Sequence, residues 1–192
     1  PILAFYGDSR AEQWPAPQVL AGATQNFGIG GQTTAQILAR FDQHFTTVKP
    51  KIMLIQAGIN DLKTIPLFPE SEATIIANCK QNLGAMVARS RQLGAQVIIT
   101  TIFPLGELPL LRRPFWSDRV DPAIAEVNQY LISLASPEVT VVVTADLLAD
   151  QQGQLIPAYS HDLLHLSVAG YQRLNQELSA RLESIIDNGK QP

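Results

Sequence analysis

Short apolar runs alternate along the chain with longer stretches in which apolar residues return every three or four positions. Five runs, at residues 2–6, 23–27, 52–56, 97–102 and 139–144, read as strands. All but the second are apolar nearly throughout, as strands covered on both faces tend to be. Between them, Ile75, Ile76, Cys79, Leu83, Met86 and Val87 mark one helix, with Gly94 as its stop. Ile124, Val127, Leu131 and Leu134 mark a second. Tyr171, Leu174, Leu178, Leu182 and Ile185 mark a third, with Ser167 as its N-cap and Gly189 as its terminator. Strands alternating with helices predict a parallel sheet with helices on both faces. With no internal repeat and no linker, residues 1–192 read as one domain.

In such sheets ligands bind beyond the carboxyl ends of the strands, so chemistry is sought where the strands end. Gly7-Asp8-Ser9 follows the first strand directly. A serine there sits on the strand-to-helix turn with its hydroxyl at the sheet edge, although a plain turn or N-cap serine would look the same. The surrounding residues do not form the G-x-S-x-G nucleophile elbow. After the second strand comes Asn26-Phe27-Gly28-Ile29-Gly30-Gly31-Gln32-Thr33-Thr34, with three glycines within four residues, more than one turn needs. They let backbone N–H groups approach a ligand. A phosphate loop is the rival reading, but neither the P-loop Lys-Ser/Thr nor G-x-G-x-x-G spacing is present. After the third strand stands Gly58-Ile59-Asn60-Asp61, where the Asn60 amide can donate to a developing oxyanion or simply belong to an Asn-Asp turn. Before the last helix, Asp162-Leu163-Leu164-His165 brings a carboxylate within reach of an imidazole. His161 is a competing base, and His44 reads as a partly solvated helix residue. Each motif alone has an ordinary structural explanation. Together, and in order, they supply the hydroxyl, base, orienting carboxylate and donors that serine hydrolysis needs.

The whole chain, from Gly7-Asp8-Ser9 to Asp162-Leu163-Leu164-His165-Leu166-Ser167, resembles the SGNH hydrolases, also called GDSL lipases and esterases. The resemblance implies an α/β fold: a three-layer α/β/α sandwich with a flavodoxin-like, five-stranded parallel sheet. It implies Ser9 as nucleophile, His165 as base and Asp162 as its orienting partner. The implied oxyanion hole is the Ser9 N–H, the Gly31 N–H and the Asn60 side chain, which leaves Gly28 and Gly30 as turn residues. The family needs no metal and no cofactor. One position departs from it: Arg10 stands where Leu or Ile is usual. An ion pair with Asp61 or Glu12 is one reading of Arg10, and a cation that favours acidic substrates is the other.

The remaining features refine this picture. Charged residues are only 16% of the chain and the net charge is −3, so there is no basic face for nucleic acid. No apolar run approaches the roughly 20 residues that span a bilayer. Cys79 is the only cysteine and falls among apolar helix residues, which suits a buried thiol. Two loops, residues 62–70 and 103–117, follow strand ends and carry Ile65, Leu67, Phe68, Leu108, Leu110, Leu111, Phe115 and Trp116. Phe115 and Trp116 are the candidate substrate-binding residues, lining a pocket for the acyl or aryl part of a small ester. The same residues would serve equally as a contact in a homo-oligomer. A chain this short has no room for a cap domain, so the expected site is open and the expected acyl group small to medium. The expected function is carboxylic ester hydrolysis through an acyl-enzyme. The alternatives are an acetyl-carbohydrate esterase or lysophospholipase on the same triad, or a ligand-binding protein that keeps the fold without turnover.

Overall fold

The structure is a computed structural model and describes residues 1–108 and 118–188. Strands β1 (Leu3–Gly7), β2 (Thr24–Gly28), β3 (Ile52–Gln56), β4 (Gln96–Thr100) and β5 (Val139–Val142) form one parallel sheet in the order β2-β1-β3-β4-β5. Each starts and ends within one or two residues of its predicted run. The helices are α1 (Ser9–Glu12), α2 (Thr34–Ala39), α3 (Phe41–Phe45), α4 (Ile59–Leu62), α5 (Glu72–Gln92), α6 (Val120–Ser133), α7 (Ala145–Leu148) and α8 (Val168–Asn188).

Alternation along the strands divides the interior into two layers. Ala4, Tyr6, Met53, Ile55, Val97 and Ile99 face α2, α3, α5 and α6, meeting Ile37, Phe41, Phe45, Cys79, Leu83, Met86, Val127 and Leu131. Leu3, Phe5, Ile52, Leu54 and Ile98 face the other way, toward Trp14, Leu148 and the Tyr171, Leu174, Leu178 and Leu182 stripe of α8. The sandwich is therefore α/β/α, as the resemblance implied. Cys79 is buried, and burial pushes its thiol up, so it is an apolar core residue. The second run reads as less apolar because no residue of β2 is fully buried and Gln25 and Asn26 are exposed.

The helix signals hold at the ends the structure describes. Gly94 takes φ +81° just after α5 and closes it. The Ser167 hydroxyl accepts from the Gly170 N–H in the first turn of α8. Gly189 lies outside the described residues. The predicted fourth and fifth strands run two residues too long, because side chains take over from strand pairing there. The Ile102 N–H donates to Asn128 Oδ1, and the Thr144 N–H donates to Thr101 Oγ1. A buried chain can leave the sheet only where such partners exist.

The strand order also locates a crevice. From β1 the chain goes to one side to form β2, then crosses β1 to form β3 on the other. The carboxyl ends of β1 and β3 border the point where the winding reverses, which is where open α/β sheets bind ligands. Gly28, expected to be a turn residue, is instead the last residue of β2. A Cβ there would lie 2.2 Å from the Glu12 backbone nitrogen, so glycine is what lets α1 lie against β2. Gly28→Ala should destabilise the fold by about 1–3 kcal/mol, the usual cost of overpacking. A urea midpoint unchanged from wild type would show that α1 yields freely.

Candidate functional site

Ser9 is the first residue of α1, reached directly from β1 through Gly7 and Asp8. Asp8 caps this short helix, its Oδ1 accepting from the Arg10 N–H at 2.9 Å. As the first helical residue, Ser9 has an N–H with no carbonyl one turn back to occupy it. Its hydroxyl lies 3.0 Å from His165 Nε2. On the far side of the ring, His165 Nδ1 lies 2.9 Å from Asp162 Oδ2 and 3.0 Å from Oδ1. The structure thus brings Ser9, His165 and Asp162 into one line.

The Asp162 turn is built by its own backbone. Asp162 Oδ1 accepts from the Leu164 N–H at 2.7 Å and the His165 N–H at 2.8 Å. Desolvation pulls the Asp162 carboxyl upward, but the hydrogen bonds from the His165 ring, Leu164 and His165, with the imidazole charge, outweigh it. The net result lowers it to about 2. Ionised, a carboxylate only accepts, so the ring proton sits on Nδ1 and Nε2 is left to accept from the Ser9 hydroxyl. His161 is exposed and gives its backbone N–H to the His165 carbonyl, while the His165 ring takes the place beside Ser9. His44 is half-buried in α3, its ring 5.1 Å from that of Phe27 and 6.3 Å from that of Tyr6.

The glycine loop and Asn60 arrive from the neighbouring strands. A Cβ at Gly30 would lie 2.9 Å from Glu12 Oε2, the far end of a flexible side chain that can move aside. Gly31 takes φ +77°, with open space around the position of a Cβ. Among the described residues its N–H has no backbone acceptor. Asn60 lies in α4, just past β3, buried to 4% exposure. Its Nδ2 donates to the Gln32 carbonyl at 3.0 Å, which uses one amide hydrogen and leaves the second. Asp61 holds this corner together by accepting from the Thr34 N–H at 2.9 Å and the Thr34 hydroxyl at 2.6 Å. Burial raises the Asp61 carboxyl, opposed by those Thr34 bonds.

Two residues packed around the site carry no motif in the sequence. Arg40 donates from Nε to Gln32 Oε1 at 2.7 Å and from Nη2 to the Gly7 carbonyl at 3.0 Å. Its guanidinium lies over the Tyr6 ring, so one side chain ties the glycine loop to the end of β1. Gly106 passes so close to the Asp162 turn that a Cβ would lie 2.7 Å from the Asp162 carbonyl oxygen. Only three-dimensional proximity marks these two.

Arg10 departs from both sequence readings. It pairs with neither Asp61 nor Glu12, and it has no exposed surface from which to meet a substrate. Its side chain is drawn into the layer shared with α8, where Nε donates to the Leu164 carbonyl at 2.7 Å and the guanidinium lies 5.0 Å from the centre of the Phe103 ring. Burial pulls Arg10 down to about 10 against the field of Asp8. Burial raises Asp8 to about 6 against the field of Arg10. The loops expected to line a pocket divide as well. Ile65 is buried, whereas Leu67 and Phe68 are 72% and 52% exposed. Phe103 packs on Trp14 inside the domain, and Phe115 and Trp116 lie outside the described residues.

Residues 3–173 match the model of the GDSL-like lipase/acylhydrolase family. The chain belongs to that family. Among relatives of this acylhydrolase family, platelet-activating factor acetylhydrolase IB subunit alpha2 of Rattus norvegicus is 25% identical, over 97% of this chain and 78% of its own length. A protein from Streptococcus pneumonia named for platelet activating factor is 31% identical and superposes with a TM-score of 0.76, covering 95% of this chain and 84% of its own. An acetylxylan esterase from Geobacillus stearothermophilus shares the fold at 22% identity, with a TM-score of 0.68 over 94% of this chain and 93% of its own. Among the described residues no helix is long and apolar enough to cross a membrane.

Proposed function

We propose that the protein is a serine-dependent carboxylic ester hydrolase that works through an acyl-enzyme on Ser9. The observation that carries this reading is the unbroken chain from Ser9 Oγ through the His165 ring to Asp162, with every link between 2.9 and 3.0 Å. Ser9 Oγ attacks the ester carbonyl carbon as His165 Nε2 takes its proton. Asp162 holds the resulting imidazolium by charge and orientation. The Ser9 and Gly31 N–H groups and the free Asn60 amide hydrogen receive the oxyanion. Collapse expels the alkoxide, which takes the proton from His165, and a water activated by the same ring then releases the acid.

The substrate is proposed to be an ester of a short acyl group. Relatives named for acetyl substrates support this, as does the exposure of Leu67 and Phe68 beyond β3, where a deep acyl tunnel would need buried walls. Each buried methylene adds about 0.8 kcal/mol, a gain an open groove offers only to the first carbons. Across p-nitrophenyl esters from acetate to palmitate, kcat/KM should peak at roughly two to six carbons by that reasoning. A maximum at long chains would refute the open groove and leave the serine chemistry standing. If Phe115 and Trp116 wall the pocket, alanine at either should flatten the profile.

A serine-directed fluorophosphonate tests the chemistry itself. Covalent labelling at Ser9, identified by peptide mass, is expected. Folded protein that resists labelling would support a ligand-binding protein of the same fold.

A further inference from the structure

Arg10 has no surface in contact with solvent, yet it carries a charge in a layer otherwise filled by Phe5, Trp14, Phe103 and Tyr171. Burying a cation is costly unless it is bonded. Among the described residues Nη1 and Nη2 find no hydrogen-bond partner. What Arg10 gains is the field of the buried Asp8, one short bond from Nε to the Leu164 carbonyl at 2.7 Å, and the face of Phe103. A leucine or isoleucine would fill the space without a charge. The bond to Leu164 is the one side-chain hydrogen bond Arg10 makes among the described residues.

The Leu164 carbonyl and the His165 N–H belong to the same peptide plane. Arg10 Nε holds the oxygen edge of that plane, and Asp162 Oδ1 holds its N–H edge at 2.8 Å. A cation and an anion therefore grip opposite edges of the peptide that leads into His165. Rotation of that plane would change φ at His165 and swing its Cβ, and with it the ring. The other end of the strut is equally fixed. Arg10 follows Ser9 in the chain, its own N–H is bonded to Asp8, and its carbonyl accepts from the Tyr171 hydroxyl at 2.9 Å.

We propose that Arg10 is a positioning residue for the reaction, a strut that sets the His165 turn against the Ser9 turn. This rests on the reading of Ser9 and His165 given above. Arg10 touches neither substrate nor the reacting atoms. It acts by keeping Ser9 Oγ and His165 Nε2 at 3.0 Å although they lie 156 positions apart in the chain. The effect falls on kcat, since no part of the ester is held by it.

The test compares Arg10→Leu and Arg10→Lys with wild type on p-nitrophenyl acetate, by fluorophosphonate labelling, and by proton NMR of the His165 Nδ1–H. A misplacement of about 1 Å can cost about 10²-fold. Arg10→Leu should therefore lower kcat by roughly 10- to 10²-fold while KM changes less than about threefold, a loss of transition-state interaction alone. Arg10→Lys retains the charge but not the planar Nε donor, and should fall between. In both variants the labelling rate of Ser9 should drop with kcat. The low-field Nδ1–H resonance should broaden through faster exchange, which a general loss of stability in a protein with an unchanged circular dichroism spectrum would not produce. If Arg10→Leu fails to fold, Arg10→Lys carries the same comparison. Folded variants with wild-type kcat, labelling rate and Nδ1–H signal would overturn the strut while leaving the Ser9 reading intact. Failure of the wild type to label at Ser9 would overturn both.

Discussion

Ser9→Ala is expected to abolish nearly all esterase activity, with kcat on p-nitrophenyl acetate falling by on the order of 10⁴- to 10⁶-fold, because members of a triad act as one unit. His165→Ala should fall by a similar factor, and the double variant by little more, since either change alone disables the proton transfer. Neither change should much affect folding. Ser9 is only partly buried, and its Oγ bond to His165 is the one side-chain hydrogen bond it makes among the described residues. The fall should appear in kcat and kcat/KM together, measured on purified protein with an unchanged melting profile. Ser9→Ala that keeps most of its activity would sink the assignment of the nucleophile, and His165→Ala that keeps it would point to another base.

The second large effect is expected at Asn60. Removing one oxyanion donor typically costs about 10²–10³ in kcat, so Asn60→Ala should lower kcat by that factor with KM nearly unchanged. The Gln32 carbonyl also loses its 3.0 Å bond, so the variant should lose about 1–3 kcal/mol of stability as well. The two losses separate because the stability change is read from a denaturant midpoint and the catalytic change from kcat below that midpoint. A rise in KM at constant kcat would mean that Asn60 binds the ground state and has no special hold on the oxyanion.

Much of this protein was legible in one dimension because its signals are local. A strand covered on both faces tends to be apolar nearly throughout, so β1, β3 and β4 stand out as runs, the edge strand β5 does so as well, and the helices between them show their stripe. From that alternation the parallel sheet follows, and with it the edge at which chemistry should sit. Gly7-Asp8-Ser9 and Asp162-Leu163-Leu164-His165 could be picked out for the same reason. The serine turn and a carboxylate three residues before an imidazole are each complete within a few positions, and the backbone bonds of Asp162 to Leu164 and His165 close within that short segment.

What only the tertiary structure decided depends on partners distant in sequence. In the sequence Arg10 reads as an ion-pair partner of Asp61 or Glu12, or as a cation for acidic substrates. Its actual acceptor, the Leu164 carbonyl, is 154 positions away and is a backbone atom that no residue type advertises. Gly28 reads as a turn glycine because the α1 backbone that forbids it a Cβ belongs to another segment. Arg40 has no motif at all, since Gly7 and Gln32 meet beside it only after β1 and β2 have paired. The types of residue in the site are a property of short stretches of chain. Their separations follow from the packing of α1, α8 and the sheet edge, where backbone groups cut off from water must find partners wherever the fold supplies them.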